Sequence, residues 1–380
     1  MQNNTLSRSE LDTAGKVLNI HYGDVLIKYG SVLDASDQTI PYIVPGNESP
    51  NYVHLQDGDV VIADTAEDET VGKTTEIYNV LGSKIEAGLH TIPCRPIIPF
   101  APKYLGYYMN TPCYHKQLIP LMQGIKVLSV SKGNISKTKI SAPNSLEEQE
   151  KISSLLYLLD QRAAIQSKII EALKKYKRGA VSRLLNGTLA FNGFSDIESW
   201  QLKRVGDFCE VQMCKRVFKE QTTPNGDVPF YKIGTIGGLP DAYISRSLYE
   251  EYKRKYSFPR KGEFLISCAG TVGKCVPYNG EDSYYQDSNI VWLRNNSQDV
   301  SNEYLYLLIS NVDWGTLNST TITRIYNDNL RELSFYIPSM QMQKRIAEYI
   351  FALSKRIDSE QAMLEKLQQE KLGLLQQLFI

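Results

Sequence analysis

The 380-residue sequence predicts an α+β protein in which two similar globular domains, each with a twisted and largely antiparallel sheet, are separated by two long helices that form an antiparallel coiled coil. Three observations support this class: an internal repeat, a coiled-coil period in part of each copy, and short β-rich runs in the rest. The predicted segments are globular residues 1–143, helical residues 144–187, globular residues 188–338 and helical residues 339–380.

The repeat is clearest toward the end of each half. Residues 149–185 align without a gap with residues 343–379, and a weaker match continues upstream, where 55–64 resembles 259–268. Nine positions keep the residue type of the first copy: Gln149, Ile152, Leu159, Arg162, Glu171, Leu173, Lys177, Gly179 and Leu184. A duplicated globular-plus-helical unit follows from this alignment.

Both helical segments carry a narrow apolar stripe. In the second copy it consists of Ile346, Ile350, Leu353, Ile357, Leu364, Leu367, Leu374 and Leu378, in steps of three, four and seven. A helix of about 37 residues would be roughly 55 Å long, which is too long to bury such a stripe inside one compact domain. We therefore expect the two helices to pair with each other.

The globular segments alternate β-rich runs with Gly, Pro and Asn breaks, as in VPFYKIGTI and NIVWLRNN. Helical patterns interrupt them at 245–256 and 301–311. Each globular segment is therefore predicted to be a sheet with a few helices.

Composition excludes several classes of protein. No run of about eighteen apolar residues is present, and the polar start MQNNTLSRSELD lacks the apolar core of a signal peptide, so we expect a cytoplasmic chain away from the membrane. The six cysteines and four histidines show no metal-ligand spacing, so no metal is predicted. The formal net charge of zero argues against a nonspecific polyanion binder but leaves room for local basic patches.

The stretch DETVGKTT, residues 68–75, resembles the end of a phosphate-binding P-loop. That loop needs a second glycine five residues before Gly72, where this chain has Glu67, and in the second copy VGK is followed by Cys275 rather than a hydroxyl residue. We therefore predict no ATP site, but a turn whose lysines, Lys73 and Lys274, are candidates for contact with a DNA backbone.

A nuclease pattern is also present, in Asp241, Glu251 and Lys253. In a metal-dependent nuclease the last two residues share one face of a strand, whereas YEEYKRKY has a helical pattern that would separate them. An autonomous nuclease remains an alternative, as does a scaffold protein that assembles through its helices. The favoured prediction is a chain without catalytic residues or cofactor.

Taken together, the motifs identify a family. Each half ends in P-x(4–5)-Q-x-x-I, a long helix and Gly-x-x-x-x-Leu, as in PNSLEEQEKI with GAVSRLL and PSMQMQKRI with GLLQQLF. The runs LQDGDVVIADTAEDETVGK and GEFLISCAGTVGK precede them in matching order. Over nearly its whole length the chain resembles the specificity subunit of type I restriction–modification systems.

The resemblance implies a division of labour. Each globular segment would be a target-recognition domain that reads one half of a split double-stranded DNA sequence, and the helices would set the spacing and dock two methyltransferase subunits. Adenine methylation would belong to those partners, and ATP-driven translocation and cleavage to a separate restriction subunit. The segment that opens the second domain around Trp200 has no counterpart in the first half, so we expect the first domain to lack an N-terminal piece.

Loops rich in Lys, Arg, Asn and hydroxyl groups beside the strands are the predicted DNA contacts. These residues are Lys73, Lys126, Ser131, Lys132, Lys137, Tyr231, Lys232, Lys274, Thr323, Arg324, Tyr326 and Asn327.

Overall fold

The computed structural model describes residues 1–189, 200–315 and 324–379. The chain divides into two compact units: unit 1 comprises Met1–Ile170 and Glu360–Ile380, and unit 2 comprises Glu171–Ser359. Helices and strands are mixed within each unit, as an α+β class requires.

Unit 1 contains two four-stranded sheets and a small strand pair. Its strands are β1 (Leu11–Asp12), β2 (Val17–Ile20), β3 (Val32–Asp34), β4 (Tyr42–Ile43), β5 (Val60–Ala63), β6 (Thr65–Ala66), β7 (Thr74–Tyr78), β8 (Lys84–Ala87), β9 (Thr91–Cys94) and β10 (Leu128–Ser129). Its helices are α1 (Tyr22–Ile27), α2 (Tyr104–Tyr108), α3 (Pro112–Leu118), α4 (Lys132–Ile135) and the first part of α5 (Leu146–Leu185). The sheet orders are β1-β4-β2-β8 and β3-β7-β5-β9, with β6 paired to β10. Only β2–β8 and β3–β7 are parallel among the strand pairs described for unit 1.

Unit 2 is built mainly from antiparallel strands. These are β11 (Gln201–Arg204), β12 (Cys209–Met213), β13 (Val228–Tyr231), β14 (Tyr243–Ile244), β15 (Phe264–Ser267), β16 (Cys275–Pro277), β17 (Tyr284–Tyr285), β18 (Ile290–Asn295) and β19 (Ser334–Ile337). Its helices are α6 (Arg246–Lys255), α7 (Asn302–Ser310), α8 (Asn327–Glu332) and the first part of α9 (Met340–Leu378). The sheets run β12-β18-β15-β16, β14-β13-β17 and β11-β19, and the β13–β17 pair is parallel.

A strand buried on both faces forms the centre of each unit. In β5, Val60 and Ile62 pack into one apolar cluster while Val61 and Ala63 pack into another. In β15, Phe264 and Ile266 face one cluster and Leu265 faces the other. Because neighbouring residues of a strand point to opposite faces, such uninterrupted apolar runs are typical of strands covered on both sides.

The two long helices contribute a segment to each unit. Within unit 1, Gln166 Nε2 donates to Glu360 Oε2 at 2.5 Å, and Lys371 Nζ lies 2.5 Å from Asp160 Oδ1, so the two segments there run antiparallel. Within unit 2, the hydroxyl groups of Tyr176 and Tyr349 are 2.6 Å apart. Neither these helices nor any other in the described ranges is long and apolar enough to cross a membrane.

A buried glutamine fixes the start of α5. The Gln149 side chain is 4% exposed; its Oε1 accepts a hydrogen bond from the N–H of Ala101 at 3.0 Å, and its Nε2 donates to the carbonyl of Pro143 at 2.8 Å. The residue thereby joins the helix start to the chain segment that leads into α2.

The matching glutamine does the same in unit 2. Oε1 of Gln343, fully buried, accepts from the N–H of Ser301 at 2.9 Å, and its Nε2 donates to the carbonyl of Pro338 at 2.8 Å. Ser301 caps α7, which occupies the place of α2. The Pro…Gln motif of the sequence is therefore a junction between helix and globular part, made by the same atoms in both units.

Candidate nucleic-acid interface

The lysines of the two VGK turns each donate a hydrogen bond to a backbone carbonyl of another segment. Lys73 Nζ donates to the carbonyl of Leu26 at 2.7 Å, and Lys274 Nζ donates to the carbonyl of Ile236 at 2.7 Å. Burial lowers the pKa of the Lys73 ammonium. The preceding glycines, Gly72 and Gly273, have φ angles of +88° and +78°, which glycine adopts without strain. Each lysine thus joins its turn to a second segment, which is α1 in unit 1 and the loop after β13 in unit 2.

The other predicted contacts of unit 1 lie in the hairpin of residues 123–129 and in and after α4. Lys126 is in the hairpin that joins Gln123 to Ser129, Ser131 caps α4 through its hydroxyl oxygen, and Lys132 begins that helix. Lys137 Nζ donates to Asn134 Oδ1 at 3.1 Å. All four predicted residues, Lys126, Ser131, Lys132 and Lys137, are exposed.

A charge pattern in this part of the chain escaped the search for motifs. Residues 87–146 contain no Asp or Glu, although the whole chain has a formal net charge of zero. Seven basic residues fall in this range: Arg95, Lys103, Lys116, Lys126, Lys132, Lys137 and Lys139. A count of acids in a sliding window would have found it. Such a local excess of cations attracts phosphate without a high net charge.

In unit 2 the first group of predicted residues lies at the end of β13 and in the loop that follows it. Lys232 forms an ion pair with Asp241 at 2.8 Å, and the Tyr231 ring stacks on Tyr285 with centroids 5.9 Å apart. The loop after Tyr231 provides the Ile236 carbonyl that holds Lys274.

A second group of predicted residues in unit 2 is connected by a backbone bridge to the segment that precedes the Lys274 turn. Arg324 bridges to Ala269, donates to the Ser288 carbonyl at 3.2 Å and lies over the Tyr326 ring at 5.8 Å. Tyr326 is 65% exposed, and Asn327 begins α8. Thr323 lies outside the described residues. The bridge brings Arg324 beside the turn that carries Lys274.

The nuclease pattern is not assembled into a site. Glu251 and Lys253 lie on α6, as their helical pattern predicts, and have separate partners: Glu251 pairs with Lys255 at 2.8 Å, and Lys253 Nζ donates to the Tyr249 hydroxyl at 2.8 Å. Asp241 is held by Lys232. Nowhere in the described part of the chain do three or more His, Cys, Asp or Glu side chains form a group that could hold a metal ion.

Comparison with known proteins shows which proteins the chain is similar to. Residues 197–369 match the type I restriction modification DNA specificity domain. A type I restriction enzyme specificity subunit of Haemophilus influenzae is 51% identical over 146 residues, which cover 38% of each protein. The StySPI specificity subunit of Salmonella potsdam is 21% identical over 85% of this chain and 74% of its own length.

A solved structure shares the fold along the chain. The type I restriction–modification S subunit of M. genitalium superposes with a TM-score of 0.59 at 13% identity, covering 100% of this chain and 93% of that one. Residues 197–369 thus match the type I restriction modification DNA specificity domain, and the chain as a whole resembles a type I restriction–modification specificity subunit.

Proposed function

We propose that the chain is the non-catalytic DNA-recognition subunit of a type I restriction–modification complex. Each globular domain reads one half of a bipartite target, and the paired helices set the distance between the halves. One observation carries the proposal: both units join a globular part to a long helix through the same buried glutamine, while their surface loops differ. The shared junction of helix and globular part suits one kind of protein partner that binds both units. The different loops suit two different DNA half-sites.

The loops named above supply the DNA contacts. In unit 1 the acid-free range around Lys126, Lys132 and Lys137 faces the phosphates, and in unit 2 the loops of Lys232, Arg324 and Tyr326 do so. Lysines contact phosphates without reading bases, whereas Arg324 and Asn327 have the donors and acceptors that base edges recognise.

The helices dock methyltransferase subunits. Besides its buried stripe, α5 carries a second apolar stripe within unit 1, formed by Leu155, Leu158, Ile165 and Ile169, which are 40–61% exposed. These residues recur at the spacing of a helix-packing face and are not covered by the α9 segment of the same unit. A helix of a methyltransferase subunit would bury them. Because the unit of globular part and long helix is duplicated in the chain, two such subunits would bind.

Methylome sequencing tests this function. The chain is expressed with the methyltransferase subunit of its own host, and we expect a split motif with adenine methylation in both halves. Exchange of residues 1–143 or 188–338 for those of another specificity subunit should change one half of the motif and leave the other intact. An unsplit motif, or a chain that forms stable homo-oligomers and ignores both DNA and methyltransferase, would contradict the proposal and favour a scaffold.

A further inference from the structure

The hairpin of unit 1 presents a fully exposed isoleucine. Two backbone hydrogen bonds close the hairpin, from Gln123 N to Ser129 O at 2.9 Å and from Ser129 N to Gln123 O at 2.8 Å. Its tip comprises residues 125–127, where Ile125 is 99% exposed and Val127 is 52% exposed. Exposure of neighbouring apolar side chains on a projecting tip is unfavourable unless something else covers them.

The base of the hairpin is held firmly. Val130, 3% exposed, packs in the core and donates its N–H to the Asp64 carbonyl at 2.8 Å. The side-chain Nδ2 of Asn134 donates to the Leu121 carbonyl at 2.9 Å. Gly124 has a φ of +119°, and a Cβ there would lie 1.9 Å from the Val127 carbonyl oxygen, so the tight turn requires glycine. Core packing, backbone hydrogen bonds and the glycine turn therefore fix the position of the hairpin tip.

The basic residues that flank Ile125 along the chain favour a polyanion as its partner. Lys126 lies between the two apolar residues, and exposed Lys132 follows the hairpin within the acid-free range. The opposing strand β6, which pairs with β10, leads into the acidic residues 67–69. Those carboxylates repel phosphate, so a DNA backbone would approach the tip from the side away from residues 67–69.

We propose that Ile125 acts as a wedge that enters a base step of the half-site bound by unit 1, while Lys126 contacts the adjacent phosphate. Apolar side chains inserted between base pairs unstack them and bend the duplex, which brings more protein surface into contact. The inference rests on the proposed function and adds to it a residue that distorts the DNA rather than reading a base edge.

The test uses the full chain with its methyltransferase subunits and a duplex that carries the target found by methylome sequencing. 2-Aminopurine is placed in turn at each position of the unit 1 half-site, and its fluorescence reports unstacking. Wild type should raise the fluorescence at a step next to the hairpin, and Ile125→Ala should abolish that rise and weaken Kd about tenfold. Ile97→Ala is the matched control, because Ile97 is also 99% exposed in unit 1 but lies on another loop.

The Lys126→Ala variant separates the two roles at the tip. It should retain the fluorescence rise while the slope of log Kd against log salt concentration falls by about one. A rise that persists in Ile125→Ala, or an unchanged Kd, overturns the wedge. Loss of the methyltransferase subunit from the Ile125→Ala complex also overturns it, because the tip would then contact protein. Specific binding by wild type without any fluorescence change refutes the wedge alone, whereas absence of specific binding refutes the proposed function as well.

Discussion

At the scale of single residues, a buried glutamine holds the start of each long helix against its globular part. Gln149 stands out because it recurs in the repeat, yet its partners are Ala101, far along the chain, and Pro143. The contact of Lys73 with DNA stays a prediction, and the hydrogen bond from its ammonium to the carbonyl of Leu26 was not predicted. Partners that are distant in sequence depend on the tertiary fold, which local patterns do not encode.

Replacement of Gln149 by alanine should destabilise unit 1. The variant loses two buried hydrogen bonds and leaves the Ala101 N–H without its acceptor, so we expect the free energy of unfolding to fall by about 2–3 kcal/mol. Urea denaturation followed by circular dichroism measures the change. Gln161→Ala, an exposed position on the same helix, is the control and should change stability little. Equal effects of the two substitutions would show that the junction does not stabilise the unit.

The carboxyl group of Glu76 makes stability depend on pH. Burial raises its pKa from 4.5 to about 7, although the N–H groups of Lys103 and Gly106 donate to its oxygens at 2.5 and 2.9 Å. Between these pH values the folded state holds a proton that the unfolded state has lost. The free energy of unfolding therefore falls as the pH rises through this range, by about 3 kcal/mol at ~1.4 kcal/mol per pH unit.

Denaturation of Glu76→Gln between pH 4 and 8 tests this. The variant should lose the part of the pH dependence that Glu76 contributes, so that its stability relative to wild type improves as the pH rises. Glu67→Gln, which alters an exposed acid in the same unit, should keep the wild-type slope. Parallel curves for wild type and Glu76→Gln would contradict the assignment.

At the scale of secondary structure, the long helices could be predicted and many short strands could not. The apolar period of α5 extends over many turns, so chance matches are few. Strands such as β6 and β10 have two residues each, which is too few to show an alternation of apolar and polar residues. They form because the tertiary fold places the two segments next to each other. The hairpin of residues 123–129 ends in β10, and its sequence therefore predicted only a polar loop.

The second stripe of α5 gives a prediction at this scale. Leu158→Asp combined with Ile165→Asp should weaken binding of the methyltransferase subunit at least tenfold, because two charges would be buried in an apolar contact. The melting temperature of the isolated chain should change little, since both side chains are exposed. Pull-down and calorimetry measure the binding, and Ala164→Asp, at an exposed position outside the stripe, is the control. Wild-type affinity in the double variant would place the docking surface elsewhere.

At the scale of the whole molecule, the two compact units divide the chain inside both long helices, after residues 170 and 359. Unit 1 consequently includes a C-terminal piece of the chain. Phe379, 6% exposed, packs against the rings of Tyr104 and Tyr108 at centroid distances of 5.6 and 5.9 Å. The repeat predicts two similar halves, but it does not predict that the last turn of α9 completes the core of the first.

Phe379→Ala should therefore destabilise unit 1 selectively. Loss of a buried aromatic ring costs about 3–5 kcal/mol, and hydrogen exchange should accelerate in α2 and β5 while β15 and β18 keep their protection. Phe351→Ala, which removes a 38% exposed ring from the unit 2 part of α9, serves as the control. Uniform acceleration across both units would show that they unfold together.

The discontinuous core of unit 1 also affects how the nascent chain folds. A ribosome releases residues 1–170 first, then the whole of unit 2, and only afterwards residues 360–380. At typical rates of synthesis this delay is roughly 10–40 s. During this time Tyr104 and Tyr108 lack their contact with Phe379. The first unit to emerge is thus the last to be completed, and chaperones have their longest opportunity to engage its open apolar surface.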